Sequence, residues 1–160
     1  MRSAARKTIA ADTQLEERFQ LLTATPGIGE ISAMQLLAET ALLAPGLTVR
    51  QWVAHRGLDP AHHDSGTSVH ERPRINRAGN RYLRRALFMP APAAVRCDPH
   101  LKAFYEALQI RHKTKLQALV AVARKLLHAI YGIFKTRAPY DGYKLFPQLH
   151  IAPAFQSASR

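Results

Sequence analysis

The chain has 160 residues, with 23 Lys and Arg against 11 Asp and Glu, a formal charge of +12 and a sequence pI near 10.6. That length supports one core with flanking arms and excludes two domains of ordinary size. A single cysteine, Cys97, excludes an internal disulfide and any zinc site that needs two thiolates.

Cys97 is expected to be a small packed side chain. The cation excess points to a polyanionic partner, because each phosphate neutralised releases condensed counterions. No apolar run approaches the roughly 18 residues that span a bilayer, and the opening MRSAARKTIAAD has no signal-peptide core. The expected setting is cytoplasmic and nucleoid-associated, with no membrane.

Helical spacing recurs along the chain and period-two alternation is rare, so the fold class is mainly all-α. A first helix is predicted from Asp12 to about Ala24, with Leu15, Phe19 and Leu22 inward and Glu16, Glu17 and Arg18 facing water. TPGIG stops it, and a second helix runs from Glu30 to about Thr40 on Ala33, Leu36 and Leu37. Thr48 is a predicted N-cap for a short third helix, VRQWVAHR, ending at Gly57. From Leu58 to Ala78 no stripe persists, which marks a functional or disordered loop, with a short hairpin around SVHERPRI as an added feature. NRYLRRALFM then forms a helix that breaks or kinks at Pro90 and Pro92. Asp98-Pro99 caps HLKAFYEALQIRHK. The longest helix, about Lys115 to Thr136, turns Leu116, Leu119, Val120, Ala123, Leu126, Leu127, Ile130 and Phe134 to the core. The expected organisation is an N-terminal helical arm over 1–20, a domain over 21–138, and an extended or disordered tail over 139–160.

Thr25 to Glu39 has the form of a helix-hairpin-helix element, in which Gly27 and Gly29 take the positive φ of a tight turn and Ile28 plugs back between the helices. Exposed amides at the second helix's start favour a phosphate, blind to base sequence. An ordinary αα-corner is the alternative. Six arginines, Arg72, Arg74, Arg77, Arg81, Arg84 and Arg85, crowd a stretch with Glu71 as its only carboxylate between Ser65 and Val95. Arg81, Arg84 and Arg85 fall at spacings of three and four, opposite Leu83 and Leu87. Guanidinium forks suit phosphate oxygens. Ser65 lies just before Gly66, with His62, His63 and Asp64 as neighbouring bases. A serine hydroxyl is a weak nucleophile without an activating base or field, and on the residues alone Ser65 is a turn serine first and a nucleophile second. His62, His63 and Asp64 are too close in sequence to converge on one metal ion, so no metal ligand is assigned in this chain.

Taken in order, TPGIGEISAMQLLAE, RQWVAHRGLDPAHHDSGTS, INRAGNRYLRRALF and ALVAVARKLLHAIYGIFKTRAPYD resemble the C-terminal domain of the IS-one-ten (IS-one-eleven-eleven) insertion-sequence transposases, over about Leu21 to Tyr143. The resemblance implies a recombinase that moves insertion sequences, with an N-terminal DEDD carboxylate domain for magnesium, a helical domain carrying a nucleophilic serine, and a guide RNA that selects DNA. The family's Gly-Leu-x-Pro…Ser-Gly segment matches GLDPAHHDSG, so Ser65 takes the nucleophile's position, with Ser68 as the nearby rival. It would form a phosphoserine bond to a DNA end, with Arg72 to Arg85 as the phosphate clamp. Implied partners are insertion-sequence ends and target DNA, guide RNA, and either a second copy or a DEDD-containing transposase. Only 24 residues precede Thr25, leaving no room for the DEDD domain. The expectation is a truncated, decayed or separately encoded C-terminal part, with no cofactor of its own and magnesium only alongside a DEDD domain. MPAPAA also places two prolines where family members continue the helix.

Overall fold

A computed structural model describes residues 2–41, 46–54, 60–61, 74–75 and 80–148. Among these, helices dominate, as the spacing predicts. In chain order they are α1 (Arg2–Ala11), α2 (Thr13–Thr23), α3 (Glu30–Ala41), α4 (Val49–Ala54), α5 (Arg81–Phe88), α6 (Pro90–Cys97), α7 (Pro99–Ile110), α8 (Lys115–Thr136) and α9 (Gly142–Leu145). Two short strands, β1 (Pro60–Ala61) and β2 (Arg74–Ile75), pair antiparallel, Pro60 opposite Ile75 and Ala61 opposite Arg74.

Local chemistry sets most of these boundaries. Asp12 accepts from the amides of Gln14 and Leu15 and starts α2. Thr48 and Gln51 form a reciprocal cap on α4, and Thr114 with Gln117 closes a capping box on α8. Asp98 accepts from the Leu101 amide at 2.8 Å, and Pro99 occupies the first position of α7, where its missing N–H costs nothing. The break predicted at the prolines falls at Met89. Pro90 and Pro92 then sit in the first turn of a new helix, α6, rather than ending helical structure.

The centre of the fold is α8, which packs against α5, α6 and α7 and also meets α2, α4 and α9. Val122, Leu126, Leu127 and Ile130 are fully enclosed, each contributing roughly 1.5–3 kcal/mol of apolar burial. By length and composition α8 would also cross a membrane, but its apolar side chains are those of a core helix. Its buried set begins at Ala118 and Val122. Leu116, predicted inward, lies two residues and about 200° from Ala118 around the helix, and is 58% exposed.

Four further expectations are corrected. The arm before α2 is a docked helix, for α1 packs on α2 and α3 and buries Ile9. Glu16 and Arg18 are half-buried and engaged rather than simply facing water: Glu16 is hydrogen-bonded and ion-paired to Arg6, and the Arg18 guanidinium lies 5.3 Å from the Phe134 ring centroid. The tail expected to be extended from 139 instead folds through residue 148. Asp141 caps α9, Phe146 is buried against Phe104, and Gly142 sits where a Cβ would strike the His100 ring. Finally, Cys97 is exposed rather than packed, because it ends α6 one turn beyond Ala94, the last residue that this helix buries.

The Arg6 guanidinium and the Gln20 amide hold the Glu16 carboxyl below its ordinary range. A carboxylate with a depressed folded-state value contributes stability above its unfolded value, and that contribution is lost as pH falls through the folded value. Protection of the α1 amides, measured against their intrinsic exchange rate at each pH, is therefore expected to fall once pH drops below the ordinary 4.5. Glu16→Gln should show the lower protection already at neutral pH and lose the acid-dependent step. Because both side chains are partly solvated, the effect belongs to α1 and not to global unfolding.

Candidate nucleic-acid interface

The turn between α2 and α3 is built from Thr25 to Gly29. The Thr25 hydroxyl donates to the Leu21 carbonyl at 3.0 Å, and the Ile28 amide donates to the Thr25 carbonyl at 3.1 Å. Ile28 is buried, plugging the turn as predicted. Gly27 takes φ +80°, and its bare Cα faces the α6 backbone, so that a Cβ would lie 2.7 Å from the Pro90 carbonyl oxygen. Gly29 differs from expectation. It does not take positive φ, is exposed, and accepts from the Ala33 amide at 2.9 Å as the residue that opens α3. Beside this end of α3 lies a hollow of about 590 Å³ lined by Ser3, Arg6, Gly29, Glu30, Ile31, Ser32 and Met34. Its one cation, Arg6, is engaged by Glu16.

At the other end of α3, Glu39 accepts a hydrogen bond from the Asn80 side chain, and the Asn80 carbonyl oxygen caps the amides of Tyr82 and Leu83. This pairing fixes where α5 begins. Leu83, Ala86 and Leu87 point inward, leaving Arg81, Tyr82, Arg85, Phe88 and Met89 exposed. Arg81 donates to the Tyr82 hydroxyl at 2.9 Å with its guanidinium 4.9 Å from the ring centroid. Arg84, predicted to share the open face, is half-buried and engaged within the fold. The open face thus carries two guanidinium groups among two aromatic rings and a thioether. Sequence reasoning passed over Tyr82, Phe88 and Met89, although the inward phase of Leu83 and Leu87 already turns them outward.

The two surfaces do not form one pocket. From Gly29 to Glu39 the helix rises roughly 15 Å at 1.5 Å per residue, which matches about four base steps of duplex. Arg74 belongs to β2, whose backbone pairs with Ala61, so the chain leaving toward Ser65 and the chain returning from it start side by side. Ser65 itself, Ser68, His62, His63, Asp64, Arg72 and Arg77 lie outside the described residues. Among the described residues no three His, Cys, Asp or Glu side chains group to hold a metal ion. These described residues do not fit a magnesium site.

Among the described residues a helical core carries the α2–α3 turn and the arginine-bearing face of α5, and comparison with known proteins assigns that core to a family. Residues 19–106 match the family model described as Transposase IS116/IS110/IS902 family. The pilin gene-inverting protein of Moraxella bovis is 33% identical over 129 residues, covering 80% of this chain and 40% of that protein. The 43.6 kDa protein of insertion element IS110 from Streptomyces coelicolor is 32% identical over 121 residues, covering 76% and 30%. A probable family 20 transposase of Pseudomonas aeruginosa is 36% identical over 91 residues, covering 57% and 27%. The chain belongs to the IS116/IS110/IS902 transposase family, and it spans two fifths or less of the length of these curated relatives.

Proposed function

We propose that this chain is the strand-holding and strand-joining part of an insertion-sequence transposase, acting on DNA by a serine nucleophile. The observation that carries the proposal is the family match over 19–106, which contains the Ser65 segment and the open face of α5 together. Backbone phosphate is held by Arg81 and Arg85, with Arg72, Arg74 and Arg77 completing the clamp, and the α2–α3 turn presents the first amides of α3, with Gly27, Ile28 and Gly29 shaping it as a helix-hairpin-helix element. The Ser65 oxygen attacks the phosphorus of a DNA phosphodiester, the sugar hydroxyl leaves with the serine proton, and a phosphoserine ester remains. A hydroxyl from a second strand then attacks that ester and returns the serine. The phosphodiester energy is conserved through the exchange, which suits a relative named for inverting a gene, since inversion must rejoin what it cuts. Partners of this reading are insertion-sequence ends, target DNA, a guide RNA, and a second copy or a carboxylate-bearing transposase. The competing reading is a non-catalytic nucleic-acid-binding module, in which Ser65 only shapes its loop.

The binding half is tested by salt titration. Affinity for duplex DNA is expected to fall linearly in log–log form with salt and to change little with base sequence. Arg81→Ala with Arg85→Ala should lower that slope by about 2, near 0.9 for each phosphate that is no longer neutralised. An unchanged slope moves the clamp off α5.

A further inference from the structure

The hairpin that joins α7 to α8 carries a charge pattern that its own fold disfavours. α7 ends in a Schellman turn: the His112 amide donates to the Gln109 carbonyl at 2.9 Å and the Lys113 amide to the Leu108 carbonyl at 3.1 Å. Such a turn prefers glycine in the left-handed position, yet His112 stands there at φ 60°. The residue after it ordinarily packs an apolar side chain back on the helix, yet here it is Lys113. The first turn of α8 would be favoured by carboxylates facing the helix dipole, yet Lys115 opens it and no acidic residue follows in that turn.

These departures build a cationic tip. Arg111, His112, Lys113 and Lys115 are all exposed, and Ile110 and Leu116 flank them at 78% and 58% exposure. From Ala107 to Tyr140 the sequence contains no Asp or Glu. Arg111, Lys113 and Lys115 have no ion-pair partner among the described residues. The tip is also distant from α4. Trp52 of α4, after which the chain runs toward Ser65, packs on Tyr131 and Phe134, and α8 rises roughly 24 Å between Lys115 and Tyr131. It lies beyond the residues that match the family model, 19–106.

We infer that the α7–α8 tip is a second nucleic-acid-binding surface, in which Arg111, Lys113 and Lys115 neutralise backbone phosphates and Ile110 and Leu116 rest against the sugars between them. The occupant is nucleic acid because the tip crowds unpaired cations into residues 111–115, between apolar flanks, on a backbone fixed by its own hydrogen bonds. A surface of this kind at the far end of α8 lets one chain hold two stretches of polynucleotide at once. The inference rests on the proposal that the chain binds nucleic acid.

The test uses a random-sequence DNA duplex and the salt dependence of binding. Arg111→Ala, Lys113→Ala and Lys115→Ala combined should lower the log–log slope by about 2 to 3, and the loss should add to that of the Arg81/Arg85 double variant, since the two sites share no partners. Lys115→Glu separates binding from folding: it should raise the melting temperature by relieving the helix dipole and at the same time weaken binding several-fold. A triple variant with the wild-type slope, or Lys115→Glu binding as wild type does, overturns the tip as a binding surface while leaving the α5 clamp standing. A wild-type chain that fails to bind the duplex at low salt overturns both.

Discussion

Gly27→Ala is expected to lower stability by roughly 2–5 kcal/mol, the sum of about 1–2 for a left-handed non-glycine residue and about 1–3 for overpacking. Gly27 holds φ +80°, and a Cβ there would meet the backbone of α6 around Pro90 and Ala94. Neither partner can yield cheaply. Ala91 and Ala94 are fully buried against the core, and α6 is pinned between α7 and α8. The prolines and alanines of MPAPAA therefore serve the fold, for small residues on α6 are what allow the α2–α3 turn to approach. The expected drop in melting temperature is on the order of 10 °C. Gly29→Ala is the control, since nothing lies within 4 Å of its Cβ position, and it should cost less than about 1 kcal/mol. Urea midpoints report both variants, and an unchanged m-value would assign the difference to stability alone. A Gly27→Ala chain as stable as Gly29→Ala would contradict the packing described.

Ser65→Ala is expected to abolish strand joining while leaving DNA affinity and its salt slope unchanged. The hydroxyl contributes no charge to phosphate binding, so its loss does not alter counterion release. In the proposed role of nucleophile it has no substitute, because a methyl group forms no ester, and removing such a group costs several orders of magnitude in rate. Ser68→Ala should retain joining. The reverse result, with Ser68→Ala inactive and Ser65→Ala active, would transfer the role by three residues within the same segment.

The parts of this fold that announce themselves in the sequence are those with a stop signal and a long stripe. Asp98-Pro99 and the Lys115 to Thr136 pattern give α7 and α8 directly, and TPGIG marks the α2–α3 turn. Three features escape for physical reasons. In α1, RSAARKTIAA contributes only Ile9 to the core, too little to make a periodic signal, and it is held by Arg6 on Glu16. α9 is four residues long, barely one turn and too short for a helical pattern to repeat, and its docking depends on Phe146 and on the absence of a Cβ at Gly142. Tyr140 shows the same tertiary logic. Its hydroxyl is buried, and that burial together with the nearby Asp98 carboxylate pushes its ionisation well above the usual tyrosine value.

The candidate site divides along similar lines. The phase of α5 is legible for Arg81 and Arg85 but not for Arg84, because three-and-four spacing covers a broad arc and only packing decides which edge of it is covered. Gly29 reads like Gly27 in sequence, whereas in the fold one is a helix cap and the other a close backbone approach. For Ser65 no periodicity or spacing distinguishes a turn residue from a nucleophile. The family match places the segment inside the transposase model without giving the serine a role, and Ala61 pairs with Arg74 on either side of it.

The most direct test of the account is covalent trapping. The chain, with a longer family member as the proposed source of the carboxylate domain and guide RNA, is incubated with labelled insertion-sequence-end DNA and magnesium, resolved under denaturing conditions, and any shifted band is mapped by peptide mass. The account predicts a DNA–protein adduct on the peptide containing Ser65, absent in Ser65→Ala. Strand joining that proceeds with no adduct on that peptide would contradict it, and would leave the chain a nucleic-acid-holding domain whose serine only turns the loop.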